Sequence, residues 1–154
     1  MKIYTLNKIQ TFPITLENCW DFFSNPANLE LITPADLGLS VISELPDIMY
    51  PGMIIHYNVS PILGIKQTWV TEITHIKKPE YFVDEQKIGP YTFWHHQHHF
   101  KKIKDDIIET SDIINYSLPF DPFSRIIHNL FISKRLNYIF DYREKVLSQK
   151  FGKM

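Results

Sequence analysis

Between about residues 39 and 118 the chain alternates apolar and polar residues in short runs: 39–45, 53–59, 65–76, 81–87, 92–103 and 107–118. A period of two is the mark of a strand with one buried face. The breaks fall at Pro51-Gly52, Ser60-Pro61 with Gly64, Lys78-Pro79, Gly89-Pro90 and Lys104-Asp105-Asp106, residue types that turn the backbone or stop a ladder. Six strands joined by short turns predict an antiparallel meander. After Pro119 and Pro122 the pattern changes. Residues 123–147 contain neither Gly nor Pro and carry Ile127, Leu130, Phe131, Leu136, Ile139 and Phe140 on a broad arc. This predicts one long C-terminal helix. Its apolar arc shifts face between the Leu130 and Leu136 halves, which suits a helix mostly enwrapped by the sheet and accommodating a bend.

The N-terminal part completes the order. Residues 3–11 alternate as a first strand, ended by Pro13. Thr15 caps a short amphipathic helix carrying Cys19, Trp20, Phe22 and Phe23, and Asn25-Pro26 breaks it. A second short helix is predicted over 26–31, before Thr33-Pro34, since proline is comfortable in a first turn. One strand, two short helices, six strands and a long helix have a simple packing solution. A strongly curved antiparallel sheet of about seven strands wraps around the C-terminal helix, an α+β architecture. Curvature leaves a gap between the two that suits an apolar ligand.

Composition narrows the function classes. At 154 residues the chain is expected to form a single domain, 1–154. A net charge of −1 with acids and bases interspersed offers no basic field for nucleic acid. No apolar run is long enough to span a membrane, and Met1-Lys2-Ile3-Tyr4 lacks a signal-peptide core, so a cytoplasmic protein without membrane insertion is expected. The lone Cys19 excludes an internal disulfide and a cysteine-rich zinc site, and its apolar neighbours favour a buried inert thiol. Gly38, Gly52, Gly64, Gly89 and Gly152 are too scattered for a phosphate-binding fingerprint, and no cofactor is expected. No serine stands in a nucleophile elbow. Nothing indicates a particular protein partner.

The segment Trp94-His95-His96-Gln97-His98-His99-Phe100 holds four of the seven histidines. Strand alternation puts Trp94, His96, His98 and Phe100 on one face and His95, Gln97 and His99 on the other. A three-residue Gly89-Pro90-Tyr91 loop pairs Ile88 with Thr92 and so sets Asp84 opposite His96. A three-residue Lys104-Asp105-Asp106 turn sets His98 opposite Asp112 and Tyr116 opposite Trp94. A one-residue slip would destroy all three pairings.

This order and these residues resemble the START and pollen-allergen-like superfamily, the helix-grip or SRPBCC proteins, and in particular bacterial ligand-binding or polyketide-cyclase-like members. The resemblance is carried by Trp20-Asp21-Phe22-Phe23, Asn28-Leu29 through Thr33-Pro34, Gly89-Pro90-Tyr91, Trp94-x-His96-x-His98-x-Phe100, and Asp112 to Tyr116 followed by Pro119. It implies a helix-grip fold and a cavity. Functions in the superfamily range over lipid carriage, hormone sensing, cyclisation and hydroxylase domains. The chain departs from the pattern after Pro119, where Phe120-Asp121-Pro122 stands in place of an expected glycine at the cavity mouth.

Three readings of His96 and His98 stand side by side. Each pairs with its opposite aspartate as a satisfied structural unit; or the histidines recognise a ligand or exchange protons with it, with Asp84 and Asp112 orienting them; or a His-x-His strand pair chelates a metal. The same face lacks a third histidine, so no metal is expected. A carboxylate that directly accepts a ring proton is expected to raise a histidine's pKa against the opposing effect of burial. Tyr57, Trp69, Phe82, Trp94, His96, His98, Phe100 and Tyr116 are the candidate ligand-binding residues. His96, His98, Asp84 and Asp112 are the candidates for catalysis. His95, His99, His56, His75 and His128 are expected to have local or surface roles, and Arg143 is expected to be solvated or to snorkel. The leading expectation is a protein that binds an apolar or aromatic small molecule between sheet and helix. A cyclase, dehydratase or hydrolase using a cavity histidine, and a protein-interaction module, are the alternatives.

Overall fold

The computed structural model describes residues 1–60, 64–120 and 124–152. Pro61 of the expected turn, Asp121-Pro122 and the first residue of the expected helix, Phe123, lie outside the described residues. Strand β1 (Tyr4–Phe12) leads to helix α1 (Leu16–Phe23), where the Thr15 hydroxyl accepts from the Asn18 N–H at 3.2 Å as a cap should. Asn25 caps the next turn through the Ala27 N–H at 3.0 Å, and Pro26–Leu29 forms a 3₁₀ turn rather than an α-helix. A second 3₁₀ turn, Ala35–Leu37, was not foreseen. It ends on Gly38, whose left-handed backbone at φ 54° lets the chain reverse into the sheet.

The strands that follow are β2 (Ser40–Val41), β3 (Met53–Val59), β4 (Gln67–Lys77), β5 (Tyr81–Ile88), β6 (Phe93–Lys104) and β7 (Ile107–Ser117). They form one antiparallel sheet in the order β1-β7-β6-β5-β4-β3-β2, so the meander closes with β1 added beside β7. β2 is far shorter than the 39–45 run suggests. The Ser43 hydroxyl accepts the His56 N–H at 3.1 Å, taking a ladder position that a backbone carbonyl would otherwise fill. Register shifts between Val70 and Thr71, between Ile73 and His75, and between Lys102 and Lys104 bend β4 and β6, which is how the sheet acquires its curvature.

Three apolar clusters hold the layers together. Trp20 of α1 packs with Phe82, Phe100, Ile55 and Ile108 of the sheet; Trp94, Ile114 and Tyr116 pack with Ile132, Leu136 and Phe140 of the C-terminal helix; Phe12, Phe22, Ile32 and Leu147 close the far end. Cys19 is fully buried in the first of these, and burial pushes its thiol up to about 12, as befits an inert core residue.

The C-terminal helix consists of α2 (Ser124–Ile127), a π-helical turn (His128–Ile132) and α3 (Ser133–Phe151). The π turn is the physical reason for the shift of face in the sequence, because an extra residue in one turn rotates everything before it by about 100°. His128 and Ile132 point inward, while Ile127, Leu130 and Phe131 face solvent, with Phe131 65% exposed. The expectation that the sheet enwraps most of the apolar arc is therefore corrected in its N-terminal half: α3 is gripped, and among the described residues the turns before it are held only through Ser124, His128 and Ile132. Among the described residues no helix is long and apolar enough to cross a membrane.

Candidate functional site

The expected register is present: Asp84 lies opposite His96, His98 opposite Asp112 and Trp94 opposite Tyr116. The two loops that argued for it are different. The ladder between β5 and β6 stops at Glu85 and His95, short of the expected Ile88–Thr92 pair, while Ile88 pairs with Val70 of β4 on the other side of the strand. The opened end is tied by Gln86, whose side chain donates to the Tyr91 carbonyl at 2.7 Å and accepts the Tyr91 N–H at 3.2 Å. A side chain at Gly89 would fall on the Gln86 amide, so glycine here leaves room for Gln86 to hold Tyr91. At the other end a two-residue Asp105-Asp106 turn joins Lys104 to Ile107, and the irregularity between Lys102 and Lys104 restores the register.

Both expected pairs, Asp84/His96 and His98/Asp112, are in contact, and each histidine also reaches the other carboxylate, at a shorter distance. His96 Nε2 lies 2.8 Å from Asp112 Oδ1, and His98 Nε2 lies 2.8 Å from Asp84 Oδ2. The near nitrogens face the carboxylates directly across the ladder, His96 Nδ1 at 3.4 Å from Asp84 and His98 Nδ1 at 3.1 Å from Asp112. The reason is reach. An imidazole leaning along its strand presents Nδ1 to the residue opposite and Nε2 to its diagonal neighbour. The result is a ring of four groups, with the two imidazoles 3.7 Å apart between centroids and Phe82 stacked on His98 at 4.1 Å.

Two imidazoles so close do not both take a proton readily. For His96, burial lowers the pKa first and the neighbouring His98 lowers it further, so the flanking carboxylates do not prevail. For His98, burial opposes the charge, but the hydrogen bonds and charges of Asp112 and Asp84 outweigh it and raise the pKa. Carboxylate neighbours thus win at His98 and lose at His96, where a rise was also expected. Burial opposes ionisation of Asp84 and Asp112 as well, yet the histidines hold both below the usual carboxylate range. Asp84, His96 and His98 bring possible ligand atoms within 4.8 Å of one another, close enough to chelate a cation, although the same atoms already serve the ring.

The ring forms part of the wall of a recess of about 180 Å³ between the sheet, α1, the 3₁₀ turns and α3. Of the expected residues, Tyr57, Trp69, Phe82, Asp84, Trp94, His96 and His98 line it, whereas Asp112 stands behind the histidines. Phe100 and Tyr116 lie in the packed core beside it. Phe100 packs against Trp20, Phe23 and Phe82, and the Tyr116 hydroxyl pairs with His128 Nε2 at 2.9 Å. His128 is accordingly buried and stacked on Tyr4, not at the surface. On the outer face of β6, His95 meets Glu85 at 3.1 Å and His99 meets Gln97 at 2.9 Å, both half-buried.

Much of the lining was missed in the sequence, including Phe22, Ile55, Ile139 and Arg135, and two of the missed residues bear on chemistry. Tyr91 is drawn in by the opened β5–β6 end. Arg143, expected to be solvated, is only 8% exposed; it lines the recess with its guanidinium 4.6 Å from the Phe140 ring centre. The signal was present, since Leu136, Phe140, Arg143 and Leu147 form one buried helical stripe with a charge in it.

No family model matches the sequence, and no curated protein matches it. Solved structures do match over almost the whole chain. A START superfamily protein from Mycobacterium smegmatis superposes with a TM-score of 0.70 at 11% identity, covering 96% of each chain. Norcoclaurine synthase from Thalictrum flavum gives 0.67 at 16% identity over 97% of each, and another structure of that enzyme holds dopamine and hydroxybenzaldehyde. Ara h 8.0201 gives 0.62 at 15% identity, covering 96% of this chain and 99% of its own. The chain has the helix-grip fold of the START and pollen-allergen-like proteins.

Proposed function

We propose that this chain is a cytoplasmic small-molecule-binding protein that takes an apolar or aromatic ligand into the recess between the curved sheet and α3. The observation that carries the reading is the wall itself: Tyr57, Trp69, Phe82, Tyr91 and Trp94 surround a localised polar group of Asp84, His96, His98 and Arg143. Apolar surface supplies affinity and a few convergent polar groups supply orientation. A cavity of roughly 150 Å³ holds a benzene-sized molecule, so about one substituted ring fits here. The structural neighbour that binds dopamine and hydroxybenzaldehyde supports a ligand of this size on this fold. Trp69 and Trp94 give the test a signal. Small aromatic probes should change tryptophan fluorescence saturably at one molecule per chain, and Ile139→Trp, which fills the recess, should abolish binding while the fold persists. Saturation that survives the filled recess would exclude this site.

A second reading, acid–base catalysis on such a ligand, is favoured by the opposite shifts of His96 and His98. One imidazole whose pKa is lowered by burial and its neighbour, beside one whose pKa is raised by two carboxylates, offers a base and an acid within the same ring. Turnover of a candidate substrate unchanged in both His96→Gln and His98→Gln would rule it out.

A further inference from the structure

The two carboxylates of the site are both engaged by histidine, and of the two arginines lining the recess Arg135 pairs with Asp36 at 2.7 Å, whereas Arg143 pairs with no acid among the described residues. Arg143 Nε is buried without a hydrogen-bond partner, and among the described residues Asp112 and Asp84 reach the guanidinium only through longer-range charge, not as salt bridges. A buried cation of this kind costs stability unless something else answers it. Phe140 offers a ring face, which meets the charge but accepts none of the fork's directed hydrogen bonds. Asp84 and Asp112 act on Arg143 through their charge alone, each having its oxygens turned to the histidines.

We propose that the recess is built for a small apolar carboxylic acid bound as its anion, with the carboxylate against Arg143 and the apolar body against Tyr57, Trp69 and Trp94. A planar guanidinium matches a carboxylate through two parallel N–H···O bonds, and in a desolvated site such bonds are strong and specific. An amide of the same shape returns only one acceptor and no charge. The recess volume sets the size of the ligand at one substituted ring or a short aliphatic chain. This inference rests on the ligand-binding reading of the recess and adds the chemical class of the ligand to it.

Matched probe pairs test it: 4-ethylbenzoate against 4-ethylbenzamide, and hexanoate against hexanamide, with ethylbenzene as a neutral reference. In the wild-type protein each acid should bind at least about tenfold more tightly than its amide. The Arg143 Nε–H resonance should move with the acids and stay still with ethylbenzene. In Arg143→Met the preference for acid over amide should vanish while ethylbenzene still binds. The comparison within the wild-type protein needs no variant, so a poorly folded Arg143→Met leaves the decision intact. Equal binding of acid and amide, or an unmoved Arg143 resonance, overturns the carboxylate assignment and leaves an apolar pocket standing. Failure of ethylbenzene and of every other probe to bind overturns the pocket as well. The benzoate and hexanoate arms separate an aromatic from an aliphatic acid.

Discussion

His98 Nε2 donates across the sheet to Asp84 Oδ2 at 2.8 Å, so the tightest partner of this histidine stands diagonally from it and not in its own rung. The bond binds β6 to β5, while its counterpart from His96 to Asp112 binds β6 to β7. Three neighbouring strands are therefore fastened by one polar ring at the point where the sheet faces the recess.

Removing one acid should cost the whole ring. Asp112 lies behind the histidines and does not line the recess, which makes Asp112→Asn the cleanest probe of the structural share. The loss of a buried charge facing His98 should destabilise the fold by about 3 kcal/mol in denaturant unfolding at neutral pH. An unchanged unfolding midpoint would mean that the ring contributes nothing to stability.

The same ring sets the pH dependence. His98 has a raised pKa in the folded state, so its stabilisation is complete below the unfolded value near 6.5 and disappears as pH rises through the folded value. His96 is lowered, so its contribution holds above about 6.5 and is lost as pH falls through its folded value. Asp84 and Asp112 are lowered as well; their contribution holds above about 3.9 and is lost in acid. In a proton NMR titration the pair should give two steps, one on each side of 6.5. Two coincident steps would remove the distinction between the imidazoles.

Gly89 and Gln86 should be coupled. Gly89→Ala pushes the Gln86 amide off the Tyr91 backbone, which should cost roughly 1–2 kcal/mol for the lost pair of hydrogen bonds. In a Gln86→Ala background the same substitution should cost much less, and a double-mutant cycle by chemical denaturation reads the difference. Additive effects would place the strain elsewhere.

Cys19 should be silent until the protein unfolds. With its thiol fully buried and pushed up to about 12, it should resist iodoacetamide at pH 8 in the native state and react fully in denaturant. Fast native alkylation would show that the cluster under α1 opens readily.

Much of this site was legible in the sequence, and the limits of that reading are physical. Alternation fixed which face of β6 carries His96 and His98, and ladder arithmetic set the right residues opposite one another even though both loops were of different lengths from those assumed. The arithmetic stops at Cα partners. Which nitrogen meets which oxygen depends on how far an imidazole leans along its strand, and a linear pattern does not encode that. Arg143 was misjudged for a different reason: charge outweighed position, although Phe140 and Leu147 on the same stripe showed it facing inward. Phe100 and Tyr116 share the face of Trp94, yet α1 and His128 fill the space before them, a consequence of distant packing.

The π-helical turn at His128–Ile132 acts as a clutch between two stretches of one helix. A single-residue deletion within it would restore a continuous α-helix and swing Ile126, Ile127 and Leu130 by about 100°, driving them against the sheet and pulling His128 away from Tyr116. With the extra residue in place, substitutions on the outer turns leave the angular setting of Arg143 and Phe140 untouched. The angular phase of the outer turns is thereby set separately from that of the stripe that lines the chamber.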